Sequence, residues 1–376
     1  RLEALIANAC KLRVAGSEPV GVFLSGGVDS SLVAALMRRD LGAVHTFTIG
    51  FDDPRYDEAH HAEQVARHLG TVHRTLVVSE NDAAGVVPDW AELFDEPFGD
   101  YSGVPTFLAA RMAREHVPAV MLADGADELF GTYDTYESVY RRMRAASFGS
   151  GIGPLARAIA AALPWDRLDG IVARRSAHCD PGQSRTRKLT SHFSYLQQAS
   201  ACTTAGHYFE YAQSASNWNG RALDRLLGRT LSDTRRHSIE YPGVPLDQMR
   251  LWELDHYTAA DVLTKVDRAT GAAGLIAREP LLDPRVVTLS LTLPERLRRG
   301  PLGTKQLLRS VLYRHVPQKL IERPKMGFTP PIGRWMDGAL RPLLQLHLND
   351  SRVRAQGVLC PETVRSTLRR FAAGDK

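Results

Sequence analysis

The chain has 376 residues, 44% of them hydrophobic, and a formal net charge of +5. This length fits two or three domains, or one large α/β unit with a helical extension. No apolar run approaches the roughly 20 residues needed to cross a bilayer, the first residues do not resemble a signal peptide, and Cys10, Cys179, Cys202 and Cys360 lack the spacing of a zinc site or disulfide framework. A cytoplasmic protein without membrane or nucleic-acid partners is therefore expected. The basic run Arg185–Lys188 reads as a solvated loop.

Residues 1–20 predict an entry helix. Val20 to Leu24 is an apolar run that reads as a buried strand, followed by the turn Ser25-Gly26-Gly27 and a helix with Leu32, Val33, Leu36 and Met37 on its apolar face. A glycine turn at a helix N-terminus presents unpaired backbone N–H groups at the positive end of the helix dipole, a ready site for phosphate. Ser25, Ser30 and Ser31 add hydroxyls. Asp29 is an acid beside the expected anion, and it calls for a cation between them, Mg²⁺ being the usual one. No Gly-Lys-Ser/Thr follows, so the pattern is not a Walker A loop.

Further along, Ala43 to Gly50 predicts a second strand, Asp57 to Leu69 a helix, His73 to Val78 a third strand, Thr106 to Glu115 a helix and Ala119 to Leu122 a fourth strand. Strands alternating with helices imply an α/β fold with a doubly wound parallel sheet, whose ligands sit beyond the carboxyl ends of the strands. Leu24–Asp29, Ile49–Phe51 and Leu122–Asp127 then share one rim. The last of these carries Asp124, Asp127 and Glu128, three carboxylates within five residues, which calls for a positive partner. On a common rim, Asp29 and Asp127 can share one Mg²⁺. The expected organisation is an entry helix over 1–20, an α/β core over 20–144, a helical insertion over 145–240, a helical continuation over 241–345 and a tail over 346–376.

Only seven of the 47 basic residues are lysines, so a retained lysine marks a place suited to a compact ammonium. Lys265 and Lys305 are the two of interest. For Lys265 an ion pair with Asp261 or Asp267 on its own helix is the plain alternative, and for Lys305 a helix-surface position.

The Ser25–Ser30 loop resembles the pyrophosphate-binding loop of the ATP pyrophosphatases, the PP-loop or adenine nucleotide alpha hydrolase-like fold. Combined with Asp124–Gly131, Asp95–Asp100 with Ser102 and Pro105, Asp261–Arg268, Arg278–Asp283, Thr304–Arg309 and Arg323–Phe328, the chain resembles the synthetase domain of class II glutamine-dependent asparagine synthetases over roughly residues 1–345. In that family ATP activates a carboxylate as an acyl-adenylate, and an amine then attacks the acyl carbon.

The resemblance implies ATP and Mg²⁺ as cofactors and a small carboxylate, aspartate first, with ammonia as substrates. Leu24, Ser25, Gly26, Gly27, Asp29, Ser30, Ile49, Leu122, Ala123 and Gly125 would hold ATP, and Asp29 and Asp127 the metal. Lys305, Asp124 and Lys265 would be catalytic, with Asp100, Ser102, Arg278 and Arg323 on the substrate side. Leu122-Ala123 stands where the family usually has Ser-Gly. Residue 1 is Arg, where the family's glutaminase domain would supply a nucleophilic cysteine, and Cys10 falls inside a helix. The amine is then expected from a glutaminase domain or subunit, from free ammonia or from the substrate itself. A homodimer is one expected assembly. Alternatives are a β-lactam synthetase, a lasso-peptide cyclase, another amidotransferase of secondary metabolism and a nucleotide-binding module without turnover. A tRNA-modifying pyrophosphatase lacks the thiol and basic features it would need.

Overall fold

The computed structural model describes residues 1–14, 18–131, 220–229, 241, 245–323 and 329–374. Most of the expected insertion over 145–240, with Arg185–Lys188, Cys179 and Cys202, lies outside the described residues, as does the segment 324–328. The chain divides into a first unit, Arg1–Thr132 with Glu253–Pro342, and a second, Tyr133–Trp252 with Leu343–Lys376. In the second unit, the segment expected as a tail forms helices Asp350–Gln356 and Pro361–Ala372, and the Cys360 amide donates to the Leu226 carbonyl of helix Gly220–Leu227 at 2.6 Å.

The first unit opens with α1 (Leu2–Leu12), β1 (Val20–Phe23), α2 (Val28–Leu41), β2 (His45–Phe51), α3 (Ala59–Leu69) and β3 (Val72–Val78). It continues through α4 (Gly103–Arg114), β4 (Ala119–Met121) and α5 (Ala126–Phe130). After Trp252 the first unit resumes with a π-helical segment (Glu253–Val262), α6 (Leu263–Ala272), β5 (Ile276–Arg278), α7 (Pro284–Leu291) and α8 (Gln306–Leu312). The five strands form one parallel sheet in the order β3-β2-β1-β4-β5.

The four expected strands are present and parallel. β5 is an addition within the stretch expected as a helical continuation. It has three residues, and its pairing of Ala119–Met121 with Ile276–Arg278 joins segments more than 150 positions apart, so no local pattern announces it. β1 is central and pairs with β2 on one side and β4 on the other. The winding reverses between β1 and β4, and at such a switch point the loops beyond the strand ends part to leave a crevice. Val22 opposite Met121 sets the Ser25–Asp29 and Ala123–Asp127 loops side by side at that crevice.

The larger apolar cluster lies on the α1–α2 face of the sheet, and a second, with Phe47, Ala110, Val120 and Val266, packs α4 and α6 against the other. Leu32, Val33, Leu36 and Met37 are buried as their spacing predicts, but Ala34 and Ala35 are buried too. Leu308, Val311 and Leu312 of α8 belong to the same apolar cluster and cover the side of α2 that a surface helix would leave to water. That packing carries residue 305, at the N-terminus of α8, to the crevice.

Candidate active site

The glycine turn is built by hydrogen bonds from both sides. The Leu24 amide donates to the Phe47 carbonyl at 2.8 Å, and the Thr48 hydroxyl donates to the Leu24 carbonyl. The Ser25 amide donates to Ser30 Oγ at 3.1 Å, the two hydroxyls lie 3.0 Å apart, and the Gly27 amide donates to Ser25 Oγ at 3.3 Å. Gly26 has φ 73°, and a Cβ there would sit 2.9 Å from the Ala62 amide nitrogen, so both conformation and space require glycine. No side chain caps α2, which leaves its first-turn amides for an anion. Arg323 also joins this turn, pairing with Glu58 and donating to the Ser25 carbonyl at 3.1 Å. That contact places at the glycine turn a side chain expected on the substrate side.

Lys305 reaches the crevice from α8. Its backbone is left-handed, at φ 55° and ψ 33°, the one positive φ outside glycine among the described residues. Its ammonium pairs with Asp29 and lies 2.8 Å from Asp127 Oδ1, and the residue is only 4% exposed. It is therefore no helix-surface lysine. Burial acts against the charge, but attraction to Asp29 and Asp127 outweighs it and holds the pKa above the ordinary lysine value.

The same contacts test the fit for a metal. Two carboxylates on different loops present oxygens to one cationic atom, and hard oxygen donors suit Mg²⁺. No group of three metal-ligating side chains converges among the described residues, so phosphate oxygens and water would complete such an ion's shell.

On the β4 side, Gly125 adopts φ 84° ahead of α5. The Leu122 amide donates to the Arg278 carbonyl at 3.1 Å and continues the β4–β5 pairing. The Asp124 amide donates to Glu279 Oε2 at 3.2 Å, and the two side chains hydrogen-bond each other. Burial, with Asp127 and Asp29 nearby, raises the Asp124 pKa against the pull of Lys265. Burial followed by the Asp124 charge pushes Glu279 well above the usual carboxylate range. Sequence reasoning missed Glu279. It follows an arginine in a segment that reads as a turn, and its partner lies 155 positions away.

Lys265 does not pair along its own helix. Its ammonium lies 2.8 Å from Asp100 Oδ2 and 3.0 Å from Ser102 Oγ, which donates to Asp100 Oδ1 at 2.7 Å. Burial works against the Asp100 charge, yet Lys265 and Ser102 leave its pKa below the ordinary value. The structure thus joins three expected residues from two segments. Arg278 donates one guanidinium N–H to the Arg13 carbonyl. Ile49 is half-buried on β2 and Leu24 is buried at the end of β1. Cys10 is buried in α1 and its thiol is pushed up to about 12, which rules it out as a nucleophile at neutral pH.

A parallel sheet with an uncapped glycine turn and an acid–lysine cluster at its switch point defines an α/β fold of the PP-loop type. The asparagine synthase family model matches residues 1–376. An asparagine synthetase (glutamine-hydrolysing) of Bacillus subtilis is 26% identical over 353 residues, covering 93% of this chain and 52% of that protein. A putative asparagine synthetase (glutamine-hydrolysing) of Mycobacterium bovis is 30% identical over 342 residues, covering 89% and 48%. A putative asparagine synthetase (glutamine-hydrolysing) of Methanocaldococcus jannaschii is 43% identical over 139 residues, 36% of this chain and 27% of that protein. The chain belongs to the asparagine synthase family. It spans about half the length of the first curated relatives it matches.

Proposed function

We propose that this chain carries the synthetase reaction of an asparagine synthetase: ATP-dependent activation of a carboxylate, aspartate foremost, followed by amide formation with ammonia. The observation that carries this reading is the Lys305 ammonium held between Asp29 and Asp127 beside an uncapped glycine turn. A carboxylate oxygen attacks the α-phosphorus of ATP, the bond to pyrophosphate breaks, and ammonia then attacks the acyl carbon of the adenylate. AMP departs with the C–O bond pair and the nitrogen loses a proton.

In this reading the α2 amides and the Ser25 and Ser30 hydroxyls receive the departing pyrophosphate. Asp29 and Asp127 would hold Mg²⁺, which when bound supplies positive charge against the triphosphate. Lys305 turns from the carboxylates to the charge developing at the α-phosphate and acyl carbon. Asp124 faces the same reaction, and Lys265 with Asp100 and Ser102 orients the acid. The printed names of the relatives support glutamine as the nitrogen source, through a glutaminase domain or subunit.

The test is pyrophosphate release over a panel of carboxylic acids with ammonia or glutamine. Release with aspartate and ammonia supports the reading. Release with other acids alone points to an amidotransferase or cyclase of secondary metabolism. Nucleotide binding without release under any condition overturns it.

A further inference from the structure

Glu279 is an acid beside the site that the reaction above does not use. It stands directly after β5, and Asp124 stands just beyond β4, so the β4–β5 pairing of Met121 with Arg278 brings the two together. Glu279 Oε2 accepts the Asp124 amide at 3.2 Å. Its other oxygen, Oε1, is buried and no N–H or O–H group of the described residues donates to it, so the Asp124 carboxyl is the partner left for it. The two carboxyls hydrogen-bond each other, and two ionised carboxylates hold only acceptors, so one of them must carry a proton.

Their surroundings say which. The strongest charge acting on Asp124 is the Lys265 ammonium, ahead of Asp127 and Asp29, which oppose it, while the charges facing Glu279 are Asp124 and, with a weaker pull, Arg13. The Arg13 guanidinium is already committed to Asp283 at 3.0 Å. An ionised Glu279 would bury a charge with one oxygen unmatched, which is far more expensive than burying the neutral acid.

We propose that Glu279 is a positioning residue, a neutral carboxylic acid that donates its proton to Asp124 and so holds the Asp124 carboxylate ionised and aimed into the crevice. This inference rests on the adenylating role given to Asp124. Glu279 grips the acid twice, through its backbone amide and through its side chain, and fixes the loop between β4 and α5. A glutamine has the same shape: its amide NH₂ donates to Asp124 and its carbonyl accepts the Asp124 amide. Alanine supplies neither.

The experiment compares Glu279→Gln and Glu279→Ala with the whole wild-type chain in two readouts. Infrared difference spectroscopy at neutral pH reads the protonated carboxyl independently of activity, and aspartate-dependent ATP–pyrophosphate exchange reads kcat and KM. The expected result is a protonated-carboxyl band in wild type that both variants lose. Glu279→Gln should exchange within about threefold of wild type and keep its rate further toward alkaline pH, whereas Glu279→Ala should lose on the order of a hundredfold in kcat with the KM for ATP little changed. Absence of the band, wild-type exchange in Glu279→Ala, or a loss in Glu279→Gln as deep as in Glu279→Ala would each overturn the inference. A wild-type chain without exchange removes the adenylating reading, while the infrared band still decides the proton.

Discussion

Lys305 sits in a left-handed backbone conformation that disfavours a side-chain-bearing residue by about 1–2 kcal/mol. The surrounding structure sustains it: Gly300 and Gly303 form a bridge just before it, and the Arg309 guanidinium donates to the Thr304 carbonyl at 2.9 Å. Its ammonium neutralises two carboxylates that would otherwise repel each other. Lys305→Met should therefore destabilise the protein by about 1–3 kcal/mol, because it leaves two half-buried carboxylates without their cation. Millimolar Mg²⁺ should raise the melting temperature of that variant more than that of wild type, since the ion replaces the missing cation. Equal shifts in thermal scans would remove Asp29 and Asp127 as metal ligands. At Gly26, alanine would meet both a positive φ and backbone atoms at 2.9 Å. Gly26→Ala should destabilise by about 1–3 kcal/mol and weaken ATP binding, measurable by denaturant titration and calorimetry.

At the scale of elements, the segment after β5 is anchored by Asp283. Its carboxylate accepts the Arg285 amide at 3.1 Å as the cap of α7 and pairs with the Arg285 and Arg13 guanidiniums at 2.9 and 3.0 Å. Those contacts hold its pKa well below the usual carboxylate range, the hydrogen bonds from Arg285 being the largest influence. A depressed pKa contributes stability above the unfolded value that disappears as pH falls through the folded one. Asp283→Ala should thus destabilise by about 2–4 kcal/mol near neutrality, with a smaller difference from wild type in acid, as urea titrations at two pH values would show. The α2–α8 contact is apolar. Leu308→Ala, at a fully buried position, should lose about 2–5 kcal/mol and also displace Lys305, lowering exchange activity beyond what the fraction unfolded accounts for.

For the whole first unit, the switch point gathers acids faster than it gathers cations. Glu253 of the π-helical segment is pushed up to about 9 by burial, with Glu128 and Asp127 adding to the effect. A raised carboxylate pKa gives stability that is full below the unfolded value and lost as pH rises through the folded one. The protein should therefore lose melting temperature between about pH 5 and 9, and Glu253→Gln should flatten that decline in thermal scans across the range. An unchanged slope would show that Glu253 ionises normally in the fold.

Much of this was legible in the sequence. The strand–turn–helix at Val20–Met37 and the alternation through Leu122 are local patterns, set by side-chain periodicity and by the glycine that a positive φ demands, and so the parallel sheet and its rim could be read directly. The acid run at Asp124–Glu128 announced a cation in the same way. Partner choice was not legible, because it depends on segments more than 150 residues apart. The sequence alone left Lys265 among Asp261 and Asp267, Arg278 and Arg323 on the substrate side and Glu279 without a role. Only the tertiary structure delivered Lys265 to Asp100, turned Arg278 to the Arg13 carbonyl and Arg323 to Glu58 and the Ser25 carbonyl, and added β5 to set Glu279 on Asp124. Local chemistry determined which loops bind charge, and the register of distant strands decided which charges meet, because pairing energy depends on distances that one-dimensional order does not encode.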